Sequence, residues 1–184
     1  MRRFIGVAVI AVSCAAGCTG TSTPRPTAGR TASASPGPSG LAPGTISLDC
    51  SIGSVESLTA PLRNTLDAVG IDTGSTLGVS GAGEAGQHRL FAKTGLYVHI
   101  GHGATLTVPA DWASRVSIFW GNGPAEWTTK LHIPACPAPP AGDGEWLAFP
   151  GGFSLDQAAC VPLEVTAGNE TTTVYVSVGV PCGH

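Results

Sequence analysis

The run Thr171 to Val180, TTTVYVSVGV, alternates Val174, Val176, Val178 and Val180 with Tyr175, Ser177 and Gly179. Successive side chains of an extended strand point to opposite faces, so this period of two describes a strand with one face in a core and one toward water. Val116, Ile118 and Trp120 alternate with Ser117 and Phe119 in the same way, within a signal running from Ser114 to Trp120. Further strand signals recur at Thr45 to Cys50, Thr76 to Ser80, Gly95 to Ile100, Ala104 to Val108, Trp127 to Ile133, Glu145 to Phe149 and Cys160 to Thr166. Turn residues separate them, as at Gly101 to Gly103, Gly121-Asn122-Gly123-Pro124, Pro150-Gly151-Gly152 and Gly168-Asn169. The chain carries 26 Gly and 15 Pro against only 11% charged residues, which suits short strands and many turns rather than long helices. The expected fold is therefore all-β, an Ig-like antiparallel β-sandwich of about 8–9 short strands.

One stretch admits a short helix. Leu58, Leu62, Leu66 and Val69 fall at helical spacing, with Thr59 as an N-cap, Pro61 in the first turn and Gly70 as a stop. Leu66, Ala68 and Gly70 alternate with Asp67 and Val69, which reads as a strand over Thr65 to Ile71. The strand is the preferred reading, with the helix as its alternative.

The N-terminus reads as an export signal. Arg2 and Arg3 precede an apolar run, Phe4 to Val12, and Ala15-Ala16-Gly17 supplies a small-residue cleavage site ahead of Cys18. This pattern resembles the lipobox of bacterial lipoproteins, in which the cysteine thiol is acylated and becomes the new N-terminus. The run is too short for a transmembrane anchor, which needs about 20 apolar residues. Residues 1–17 are thus expected to be a lipoprotein signal peptide and Cys18 the lipidation site, placing the chain on the extracytoplasmic face of a cell membrane. Residues 18–44 are rich in Thr, Ser, Pro, Gly and Ala, with almost nothing apolar to bury. Such a composition cannot offset the entropy of folding and serves as an extended tether. The domain proper is expected over residues 45–184, close to the modal domain size.

Within 45–184 five basic residues, Arg63, Arg89, Lys93, Arg115 and Lys130, face all twelve acidic ones, a net of −7. A surface of this charge excludes nucleic acid as a partner, since phosphate binding needs clustered cations. The remaining partners are the membrane, through the N-terminal lipid, and an envelope protein or glycan.

An exported chain meets oxidising conditions, so Cys50, Cys136, Cys160 and Cys182 are expected to form two disulfides. Four cysteines permit three pairings. Cys136–Cys160 would close the proline-rich loop and the Trp146 strand, and Cys50–Cys182 would clip the first strand to the last; this is the expected set. No C-x-x-C pair or Cys/His cluster points to a metal, and no cofactor is expected.

The order LFAKTGLYV (Leu90 to Val98), TVPADW, RVSIFWG, HIPACP, GEWLAFPGGF, ACVPLEV (Ala159 to Val165) and VSVGVPC (Val176 to Cys182) resembles a group of lipoproteins and secreted proteins of high-GC Gram-positive bacteria. The resemblance implies a small β-sandwich in an actinobacterial envelope. It carries no catalytic residue over.

Other motifs lose their chemistry on inspection. Gly81-Ala82-Gly83-Glu84-Ala85-Gly86 fits G-x-G-x-x-G, yet QHRLFAKTG after it shows no helical stripe to hold a pyrophosphate at its N-terminus. Lys93-Thr94-Gly95 resembles a motif of penicillin-binding proteins and β-lactamases. Those enzymes need a serine three residues before a lysine, where this chain has Leu90 and Trp127. His99 and His102 could converge only if Gly101 bends the strand. His88, His132 and His184 add no fixed spacing, although a Ser/His/Asp site is a matter of geometry rather than spacing. Among Trp112, Trp120, Trp127 and Trp146, Trp120 alternates with core positions, whereas Trp112 and Trp127 lie beside turns and are the candidate ligand-binding residues. The functional expectation is a binding or interaction module. Its alternatives are an envelope hydrolase with a loop-built site and a carbohydrate-binding module using surface aromatics.

Overall fold

Each strand signal overlaps a strand of the computed structural model, which describes residues 41–58, 62–71, 75–81, 87–122, 125–140 and 144–183. The signal peptide, Cys18 and the tether up to residue 40 lie outside the described residues, as do Thr59, Pro61 and residues 82–86 of the glycine motif. In chain order the strands are β1 (Thr45–Ser47), β2 (Ser54–Glu56), β3 (Arg63–Thr65), β4 (Val69–Ile71), β5 (Ser80–Gly81) and β6 (Leu90–His99). They continue with β7 (Ala104–Thr107), β8 (Val116–Trp120), β9 (Lys130–Ile133), β10 (Trp146–Leu155), β11 (Ala159–Ala167) and β12 (Glu170–Val178). A 3-10 turn at Cys50–Ile52 is the sole helical element among the described residues. The stretch 63–71 is a β-hairpin, β3 to β4, turned by Leu66 and Asp67 at positive φ of 53° and 51°.

Two sheets pack face to face. The first has the order β1-β9-β7-β11-β12; the second runs β2-β10-β6-β4-β3, with β5 also beside β6 and β8 beside β10. Neighbours are antiparallel except β1 and β9, which run parallel. Alternate residues of each sheet meet in one core: Leu106, Leu131, Leu163 and Val176 from the first, Leu96, Ile118, Phe149 and Phe153 from the second.

Trp120 is a core residue, as its alternation predicts. Its indole N–H donates to the Thr94 carbonyl at 3.1 Å, which satisfies the one polar group of an otherwise buried ring. Gly151 faces Trp120 in register, and a Cβ there would lie 2.6 Å from Trp120 Cδ1. A Cβ would also run into the Phe119 carbonyl oxygen, so glycine at this position makes room for the β8 backbone as well as for the indole.

The disulfides correct the expected pairing: they are Cys50–Cys136 and Cys160–Cys182. The parallel register of β1 on β9 explains the first. Ser47 stands beside His132, so Cys50 and Cys136 leave the same end of adjacent strands together. Cys160 stands opposite Ser177, and the chain turns back after Gly179 (φ +71°) so that Cys182 N donates to Ser177 Oγ, bringing Cys182 to Cys160. Cys136–Cys160 is geometrically closed off because Lys130, Thr107 and Glu164 lie in one row. Cys136 follows that row on one side and Cys160 precedes it on the other, at opposite ends of the sheet. Cys50 and Cys182 are separated in the same way.

Candidate functional site

Between β7 and β8 the chain coils through a tight turn. Trp112 N donates to Pro109 O at 2.9 Å, and Arg115 N and Val116 N both donate to Trp112 O at 3.0 Å. This winding puts residues three apart on one side, as on a helix. The Arg115 guanidinium accordingly lies 3.9 Å from the Trp112 ring centroid, a cation–π stack. The facing wall comes from the β10–β11 connection, whose Asp156 N donates to Arg115 O at 3.1 Å. Trp112, Arg115, Val116, Asp156, Gln157 and Ala159 enclose a cleft of about 290 Å³.

The cleft is supported from behind. His88 Nδ1 and Asp156 Oδ1 are 3.0 Å apart, and His88 N donates to Ser154 Oγ at 2.9 Å. Sequence spacing gives no signal for a His88–Asp156 pair, because the partners are 68 residues apart and meet only through the register of β10 on β6. A carboxylate on Nδ1 is the orienting half of a Ser-His-Asp triad. Here, however, Ser154 is fully buried and its hydroxyl meets the histidine's backbone rather than its ring.

Trp127, the other candidate tryptophan, sits elsewhere. It meets Phe91 and Phe119 with ring centroids 5.9 and 5.8 Å apart. In register, Phe91 stands beside Ser154 and Phe119 beside Gly152. Trp127 thus packs into an aromatic cover on the outer face of β6, β10 and β8, sharing no residue with the Trp112 cleft.

Gly101, at φ +80°, does bend the chain after β6, and His99 and His102 converge with centroids 4.4 Å apart. Trp146 joins them, 4.9 Å from His99. Among the described residues no group of three His, Cys, Asp or Glu side chains could hold a metal. Lys93-Thr94-Gly95 lies inside β6, with Thr94 facing the core and Lys93 exposed, so the three residues do not share a surface.

Two other hollows flank the 3-10 turn. One, about 520 Å³, is lined by Pro137, Pro139, Pro140 and Leu147 with Cys50; the other, about 290 Å³, by Ile46, Ile52, Phe119 and Leu131 with Glu126. Asp49 borders both, but its carboxylate is engaged by Ser51, whose hydroxyl and backbone N–H donate to it at 2.7 and 2.9 Å. Those bonds hold the Asp49 carboxyl below its ordinary value. The Trp112 cleft differs in joining an aromatic ring, a guanidinium, a carboxylate and an amide in one small space.

No protein-family model matches the chain. Neither the curated proteins nor the solved structures contain a match.

Proposed function

We propose that this chain is a cell-envelope lipoprotein whose β-sandwich is a binding module, held at the extracytoplasmic face by lipid on Cys18 and displayed by the tether. The observation that carries the binding reading is the Trp112–Arg115 cleft. A stacked aromatic with convergent donors and acceptors in a concave site is how proteins fix the orientation of a small ligand. The export signal, the polar tether and the resemblance to actinobacterial envelope proteins support the location. Trp112, which packs against the core and also lines the cleft, is the ligand-facing tryptophan in this reading, and Trp127 is set apart from it by its contacts with Phe91 and Phe119.

The test uses the chain without residues 1–17 and with Cys18→Ser, so that lipid cannot contribute. It is mixed with isolated envelope material, and its retention is compared with that of Trp112→Ala and Trp127→Phe versions. The expected result is retention lost on changing Trp112 and kept on changing Trp127. A folded Trp112→Ala variant retained as well as the parent would overturn the assignment. In the full chain, Cys18→Ala should abolish tight membrane association, because acyl chains contribute about 0.8 kcal/mol per buried methylene.

A further inference from the structure

We infer that the Trp112–Arg115 cleft takes a carboxylate, gripped by the fork of the Arg115 guanidinium; this rests on the reading of the cleft as the ligand site. The domain is acidic, with five cations against twelve anions, so a half-buried arginine has carboxylates to choose from. Arg115 nevertheless makes no ion pair among the described residues. Asp156 lines the same cleft, yet its carboxylate turns to His88. The guanidinium carbon instead lies 3.9 Å from the Trp112 ring centroid, a stacking contact that uses none of its N–H groups. Arg115 Nε is buried and has no acceptor. A buried donor without a partner is unfavourable, and a small shift of the side chain that turns Nε toward an acceptor in the cleft would relieve it.

The shape of that acceptor follows from the fork. Two parallel N–H groups match the two coplanar oxygens of a carboxylate. Phosphate would match the fork too, but its second negative charge would stand beside Asp156 in a domain already at −7, so a monovalent carboxylate is favoured. The volume, about 290 Å³, is at the lower end of ligand sites and suits a small acid or the last residue of a peptide. A free acid and a peptide terminus present the same group, and the experiment separates them.

The measurement is NMR titration of the ¹⁵N-labelled chain without residues 1–17, carrying Cys18→Ser, which retains the whole unit Gly40–His184. The signals followed are Trp112 Nε1–H and Arg115 Nε–H. Probes are acetate against acetamide, N-acetyl-alanyl-alanine against its C-terminal amide, inorganic phosphate, and N-acetylglucosamine. Saturable shifts with an acid and none with its amide are expected. Acetate acting alone identifies a free acid, and the peptide acid acting far more strongly identifies a chain terminus. Arg115→Lys keeps the charge and loses the fork, and should weaken the response at least about tenfold, the worth of one charge-assisted hydrogen bond. Lys93→Gln, on an exposed strand position, should leave it unchanged. If Arg115→Lys does not fold, the acid-against-amide comparison on the parent chain decides alone. Equal shifts with acid and amide, or a response to phosphate as strong as to acetate, would overturn the carboxylate assignment. N-acetylglucosamine moving Trp112 while no acid does would overturn it and leave the cleft as a neutral-sugar site. No probe moving either signal would overturn both readings.

Discussion

Removing the two disulfides one at a time should destabilise the domain unequally, and the difference can be worked from the structure. Cys50 and Cys136 are 86 residues apart, Cys160 and Cys182 only 22. In the chain-entropy model a bridge removes freedom from the unfolded chain by a constant plus a part that grows with the logarithm of the loop it closes, which gives about 4.6 kcal/mol for the longer loop and about 3.4 kcal/mol for the shorter. Cys136 is also completely buried, so truncation there adds a small packing loss in the same direction. The assay is urea unfolding of Cys50→Ala/Cys136→Ala and Cys160→Ala/Cys182→Ala against the parent, under non-reducing conditions. The first variant should be the weaker by about 1 kcal/mol or more at zero urea, each curve being fitted with its own m-value because opening a loop lets the unfolded chain expand. Equal losses, or a larger loss at Cys160 and Cys182, would refute the entropic reasoning. Recovery of a Cys136–Cys160 peptide from non-reducing digestion would refute the pairing itself.

Trp120→Phe should cost about 2 kcal/mol in the same assay, since it removes the donor to the Thr94 carbonyl and leaves a void behind the smaller ring. Gly151→Ala should cost about 3 kcal/mol, the upper end for overpacking, because the obstructing atoms include the Phe119 and Trp120 backbone; a melting temperature within a degree or two of the parent would show that β8 yields easily. Asp49 should contribute to an acid limb of stability. Its carboxyl is lowered from 3.8, first by the Ser51 hydroxyl and then by the Ser51 N–H, so its contribution is present above that value and is lost as pH falls through the lowered one. The gap between the parent and Asp49→Asn, read by thermal melting, should therefore close at the acid end and stay constant near neutrality.

Strand positions were legible because alternation is a local property: Val176 and Val178, with Val116, Ile118 and Trp120, are buried as their period of two assigns, and Val174 partly so, whereas Val180 lies past the end of β12 and is exposed. The disulfide pairing was not legible, because it depends on which strands are neighbours. That β1 would lie parallel on β9 cannot be read from either segment, and without it Cys50 has no reason to meet Cys136. The hairpin at 63–71 was half legible, since Leu66 and Asp67 turn the chain at positive φ without the glycine that usually marks such a turn. Trp112 lies beside a turn in the sequence, and in the structure it lines the cleft between that turn and the β10–β11 connection. Trp127 also lies beside a turn, yet it meets Phe91 of β6 and Phe119 of β8, neighbours that no local spacing announces. Arg115 carried a weak signal in its three-residue offset from Trp112, and His88 with Asp156 carried none.

The two bridges also decide how the domain would respond to tension between its ends. A pull on the N-terminal side can strip β1 from β9 only as far as Cys50, where the pull passes through sulfur to Cys136 and skips the 86-residue loop holding β2 to β9. At the other end the 22-residue loop holding nearly all of β11 and β12 is skipped by the step from Cys160 to Cys182. Residues 137–159, with β10 at their centre, are the only stretch between the bridges that lies on the mechanical path. However hard its tails are drawn, most of the sandwich cannot be unravelled while both bridges hold.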